Sequence, residues 1–259
     1  MADLDWLIAR PLAHRGLHDD GKGIIENTIS AFTAAIAGRY GIECDLQISG
    51  DGEAMVHHDD ALGRLTERSG RLDAMTAAEL KRVEFKGTAD RMITLGELCD
   101  FVAGRAALLI ELKSPRAGDR RLAARAAEVL SGYRGKAAVM SFEPRLVAEV
   151  RTIAPRLPRG MAVRSHTWRD VFWRDVFGRD VFGRDVFAAP KRAMAALAPA
   201  FASRPQFLAY AVRDLPALLP TVAHNLFAMP LLAWTVRGAD ERQRAARYAD
   251  QMIFEGFRP

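Results

Sequence analysis

Short apolar runs alternate along this chain with longer stretches whose apolar residues recur every three or four positions. Runs bounded by turn residues predict strands over residues 11–16, 42–48, 54–59, 107–113, 137–142, 160–163, 207–212, 231–236 and 252–255. Between them, helical spacing opens behind Asn27 or Thr28, with Ile29, Phe32, Thr33 and Ile36 on one side and Gly38 near the end. Thr76 with Glu79, and Thr94 with Glu97, have the spacing of capping boxes and open two more helices. Further helices are predicted over residues 120–130, 144–153 and 239–248. This alternation of strand and helix argues for an α/β fold.

The strand count decides the architecture. Of the strands on either side of Gly50-Asp51-Gly52, the second must run antiparallel to the first, because a tight turn cannot join parallel neighbours. Setting aside residues 54–59 as a hairpin strand laid over the barrel mouth leaves eight parallel candidates, the number for a (β/α)8 TIM barrel. The 259 residues then form one domain of the usual barrel length, about 250 residues.

Polar residues gather at one end of that barrel. Glu43 and Asp45 stand two apart on one strand and so share a face. His57, His58 and Asp59 end the hairpin strand, His14 and Arg15 end the first strand, and Glu111 and Lys113 end the strand at 107–113. Active sites of such barrels are built at the C-terminal ends of the strands. Two acids on one strand alone would read as solvated surface; joined by a third acid, a lysine, an arginine and two histidines, they read as a metal site with acid/base neighbours.

Composition narrows the setting. No apolar run reaches the roughly 20 residues of a membrane span, and the acidic N-terminus carries too short an apolar run for a secretory signal. Cys44 and Cys99, the only cysteines, exclude a disulfide framework and a Cys-rich zinc site. A cytoplasmic protein is expected. The net charge of +5 is spread over helical stretches and forms no tract, which speaks for solvated helix faces or an anionic small substrate and against nucleic acid.

One stretch stands outside the pattern. Residues 168–188 carry RDVFW, RDVFG, RDVFG and RDVF in tandem, and a period of five matches neither a helix face nor a strand face. It reads as a duplicated surface insertion. The other use would be contact with a partner or a membrane surface through Trp168, Phe172, Trp173, Phe177, Phe182 and Phe187.

The chain resembles the glycerophosphodiester phosphodiesterase family. The resemblance is carried by HRG at 14–16, ENTISAF at 26–32, IECDLQISGDG at 42–52, VHHDDALGRLT at 56–66, LIELK at 109–113, SFEP at 141–144 and WTV at 234–236. It implies a (β/α)8 barrel that uses one divalent metal, Ca2+ or Mg2+, to cleave glycerophosphodiesters into glycerol 3-phosphate and an alcohol. It further implies Glu43, Asp45 and Glu111 as metal ligands, His14 and His58 as the acid/base pair, and Arg15 and Lys113 as phosphate-binding groups. His57 would turn to the other side of its strand, Cys44 would pack in the core, Glu26 would support the Arg15 loop, and Trp234 would wall the substrate pocket. The sequence departs from the family pattern in a longer polar loop between His14 and Glu26, and in IFEGFRP at 253–259, where Glu255 replaces the acidic residue of the closing strand without matching it. Two other readings compete: a related barrel phosphodiesterase acting on intact lipid, and a non-catalytic interaction protein using the RDVF array.

Overall fold

The computed structural model describes residues 4–113, 119–164 and 203–259. The RDVF array at 168–188 lies outside these residues. Eight parallel strands close into a barrel: β1 (Leu12–Ala13), β2 (Gly41–Ile48), β6 (Leu108–Leu112), β7 (Ala137–Ser141), β8 (Arg159–Val163), β9 (Phe207–Ala211), β10 (Leu231–Val236) and β11 (Gln251–Phe254). Closure is made by β1, which pairs with β2 on one side and β11 on the other. β3 (Ala54–Val56) runs antiparallel along residues 46–48 of β2, and a small pair, β4 (Ala61–Leu62) and β5 (Gly70–Arg71), stands apart.

Alternation along the strands sorts two cores. Ile42, Cys44, Leu46 and Ile48 of β2 join Ile110 and Leu112 of β6 in one cluster with residues of several helices. Those helices include α2 (Ile29–Ala37), α4 (Leu95–Val102), α5 (Arg121–Ser131) and α6 (Pro144–Ile153). The opposite faces supply a second cluster inside the barrel, with Leu12, Leu109, Met140, Phe207, Leu232 and Ile253. Gly160 makes room for it: a Cβ there would lie 2.3 Å from the Phe207 ring on the neighbouring strand. Leu4 and Leu7, on and before α1 (Asp5–Ile8), join this interior cluster, and Gln251 at the start of β11 donates to the Ile8 carbonyl. The N-terminal end of the barrel is therefore closed by apolar side chains.

Several elements differ from their predicted extents. The hairpin strand ends at Val56, so His57, His58 and Asp59 belong to the segment beyond it. β1 is two residues long, because Arg15 and Gly16 turn left-handed with φ of 56° and 79°. The helix opened by Thr76 is the single turn α3 (Ala77–Leu80). Helix α7 (Leu218–Phe227) was not predicted: it exposes Leu218, Leu219, Leu226 and Phe227 and so lacks a one-sided apolar stripe facing the core. Helix α8 (Ala239–Tyr248) precedes β11 as expected.

Candidate active site

β2 sets the centre of the barrel mouth. Its outward residues are apolar, so the pleat turns Glu43, Asp45 and Gln47 inward together, and all three are buried. Glu43 is only the third residue of its strand, short of the strand end that the sequence suggests. In the barrel it still lies at the mouth, because β1 stops at Ala13 opposite Ile42 while β2 runs on to carry β3. Asp45 pairs in register with Glu111 on β6. Carboxylate oxygens of Glu43, Asp45 and Glu111 lie within 4.8 Å of one another.

The basic groups reach this cluster from two neighbouring segments. Lys113 Nζ lies 2.5 Å from Glu111 Oε1 and 2.9 Å from Asp45 Oδ1. Arg15 Nε lies 3.3 Å from Asp45 Oδ2, while its Nη1 donates to Glu26 at 2.8 Å. The left-handed backbone at Arg15 is held by its own N–H, which donates to Glu43 Oε2 at 3.0 Å, and by its carbonyl, which accepts from the Asn27 N–H. Asn27, also left-handed, donates from Nδ2 to Asp45 Oδ2 at 2.9 Å. Such conformations in non-glycine residues persist where surrounding bonds over-determine them.

Both candidate histidines are anchored in the same way. His14 Nδ1 lies 2.5 Å from Glu255 Oε2, and His58 Nδ1 lies 2.7 Å from Asp59 Oδ1. A carboxylate at Nδ1 favours the proton there, leaving Nε2 as the free basic nitrogen of the neutral ring. His14 Nε2 points toward the acids, 3.9 Å from Glu43 Oε2. Glu255 is fixed in turn by Arg237, and Asp59 by Arg64, which also holds Glu26. His57 is buried on a different side, its ring against Phe85.

The electrostatics follow from crowding three acids in a dry site. Burial, with repulsion from Asp45 and Glu111, pushes the Glu43 carboxyl well above its usual range. Burial also raises Glu111, despite its contact with Lys113. For Asp45, burial is outweighed by Lys113 and Arg15, which hold it well below the usual carboxylate range. Lys113 is raised because two carboxylates more than offset its burial. That Lys113 and its partner Glu111 are both raised is consistent: one ammonium is shared between two acids, so the cluster keeps surplus negative charge. Asp45 Oδ1 also accepts no aligned hydrogen bond among the described residues. Three hard oxygen donors with unbalanced charge fit a divalent cation. Burial lowers both His14 and His58, so their neutral forms prevail near pH 7.

A cavity of about 230 Å3 opens beside His14 and Arg15, lined further by Trp234, Arg164, Arg213 and Arg237. Trp234 is set by its indole N–H, which donates to the Ala209 carbonyl at 2.9 Å. A larger cleft of about 860 Å3 lies between α5 and α6 and gathers no comparable polar set. The fold thus brings together His14, Arg15, Glu43, Asp45, Glu111 and Lys113. Sequence reasoning missed Asn27 as the partner of Asp45 and Glu255 as the partner of His14. Glu255 departs from the family pattern in sequence, yet its position just past the end of β11, beside β1, puts it against the histidine.

Fold and site together define a class: parallel α/β barrels with an oxygen-donor acidic centre and paired imidazoles at the mouth. Within that class, the chain belongs to the glycerophosphoryl diester phosphodiesterase family, whose model matches residues 14–254. It is 31% identical over 160 residues to a glycerophosphodiester phosphodiesterase of Caldanaerobacter subterraneus, a match covering 58% of this chain and 65% of that protein. The chain thus spans less than two thirds of the length of that curated relative. Its fold is similar to an Oleispira antarctica phosphodiesterase solved with the product sn-glycerol-3-phosphate (TM-score 0.72, 20% identity, covering 94% of this chain and 91% of that one). A Thermotoga maritima glycerophosphodiester phosphodiesterase is similar as well (TM-score 0.67, 21% identity, covering 94% and 92%). Among the described residues, no helix is long and apolar enough to cross a membrane.

Proposed function

We propose that this protein hydrolyses glycerophosphodiesters to glycerol 3-phosphate and an alcohol, with His14 and His58 as the acid/base pair. The observation that carries this reading is the matched anchoring of two imidazoles, each held at Nδ1 by a carboxylate, beside a cluster of buried acids. One histidine accepts the proton of the attacking hydroxyl as the new P–O bond forms. The other gives a proton to the leaving alcohol oxygen as the old bond breaks. The accepting ring acts as the neutral imidazole, and the giving ring first takes up a proton, a form that the carboxylate at its Nδ1 favours.

Arg15 and Lys113 neutralise the nonbridging phosphate oxygens, while Trp234 forms a wall of the substrate cavity. Glu43, Asp45 and Glu111 hold one divalent cation, Ca2+ or Mg2+, which supplies further charge stabilisation when bound. The substrate is a small molecule, and nucleic acid is not a partner.

Glycerol 3-phosphate release from glycerophosphocholine, with and without EDTA, tests this on wild type, His14→Ala and His58→Ala. The expected result is release that EDTA abolishes and that each substitution lowers by roughly 10²–10⁴-fold. Release insensitive to EDTA would remove the metal from the reading, and full activity in either variant would remove that histidine.

A further inference from the structure

The cavity beside His14 and Arg15 holds more positive charge than one phosphodiester calls for. Among the described residues, four arginines line it, Arg15, Arg164, Arg213 and Arg237, against one carboxylate, Glu241. Two of the four are spoken for. Arg15 pairs with Glu26 and Asp45, and Arg237 forms a two-point contact with Glu255. Glu241 is engaged too, accepting from the Arg237 backbone N–H at 2.6 Å.

Arg164 and Arg213 have no acidic partner among the described residues, and both are exposed toward solvent. Arg164 is nonetheless held. Its guanidinium lies 4.7 Å from the Trp234 ring centre and 5.3 Å from that of Phe142, and those two rings meet edge to face. Stacking occupies the flat face of a guanidinium and leaves its N–H edges free, the presentation that suits bidentate binding of an oxyanion. Arg213 rides on a short 3-10 turn, Val212–Asp214, whose Arg213 carbonyl accepts from Arg244 on α8.

One cavity therefore runs from the reacting end, His14 and Arg15, to two guanidiniums without counter-charge among the described residues. We propose that the leaving alcohol of the substrate carries a second, phosphomonoester group bound by Arg164 and Arg213. The inference rests on the proposed hydrolysis: because that reaction releases glycerol 3-phosphate, the additional anion belongs to the alcohol. A phosphomonoester, nearly dianionic at neutral pH, is a better match than a carboxylate for two guanidiniums that no acid among the described residues pairs. Arg164 and Arg213 are thus specificity-determining groups, which touch the substrate away from the scissile bond.

The test compares three substrates of the holoenzyme: glycerophosphoinositol 4-phosphate, glycerophosphoglycerol and glycerophosphocholine, with anionic, neutral and cationic alcohols. In wild type, kcat/KM is expected to be at least tenfold higher for the first than for the second, and lowest for the third. In the double variant Arg164→Gln/Arg213→Gln, the ratio of the first to the second is expected to fall to within about twofold of one, through KM and not kcat. Equal or better turnover of the neutral or cationic substrate by wild type would overturn the inference and leave the hydrolase reading intact. Release from none of the three would overturn the hydrolase reading, and calorimetric binding of the same compounds would then decide this one. At least tenfold tighter binding of the phosphorylated compound, lost in the double variant, would sustain it; equal binding would overturn it.

Discussion

The ring of His14 is held from behind by a residue 241 positions away, and Glu255 governs both its tautomer and its basicity. Burial lowers the His14 pKa, while the hydrogen bond to Glu255 raises it. Glu255 itself is buried in part, yet His14 and Arg237 bring it down to about 2, so it stays anionic through the neutral range. Removing the charge with Glu255→Gln leaves burial opposed mainly by the Asp45 carboxylate and lowers the His14 pKa further. The limb of kcat/KM against pH that follows His14 is therefore expected to move to lower pH, with kcat reduced on the order of tenfold or more. A profile that keeps its position would show that Glu255 does not set the ionisation of His14.

At the level of elements, the turn after β1 is the one that sequence changes would break most sharply. Gly16 has φ of +79°, and a Cβ there would lie 2.8 Å from Ala31 Cβ and 2.9 Å from the Ala31 carbonyl carbon on α2. Gly16→Ala is expected to destabilise the protein by roughly 1–3 kcal/mol, through overpacking and a disfavoured backbone, in urea unfolding. Activity should fall with it, because Arg15 is the next residue. Local patterns made much of this level legible. Both capping boxes form as their spacing implies, and Thr28 caps α2. Asp45 and Glu43 could be placed on one face from their spacing alone. The pairing of His14 with Glu255 could not, since it exists only because β1 and β11 are neighbours in the closed barrel. Nor could the second role of Asn27, whose side chain reads as a helix-start residue but spans to Asp45. α7 escaped notice because its apolar residues face outward, and periodicity detects only helices with a buried stripe.

For the molecule as a whole, acid stability has an identifiable contributor in His57. It is 2% exposed, and burial lowers its pKa to about 4 from an ordinary value of 6.5. Above pH 6.5 the ring is neutral in both states and stability is unaffected. As pH falls from 6.5 toward 4, the unfolded chain takes up a proton that the folded ring refuses, so stability is lost at about 1.4 kcal/mol per pH unit, to a total of about 3 kcal/mol. Thermal unfolding of wild type and His57→Gln across that window should show a steeper fall for wild type; parallel curves would clear His57 of the role. Among the described residues, the eight-strand closure that gathers the site also leaves it a single doorway. Leu4 and Leu7 cork the far end of the barrel, so nothing traverses it. Under the proposed reaction, glycerol 3-phosphate and alcohol depart by the route the next substrate uses to arrive. Traffic at that doorway is two-way, and accumulated product competes for entry with fresh substrate.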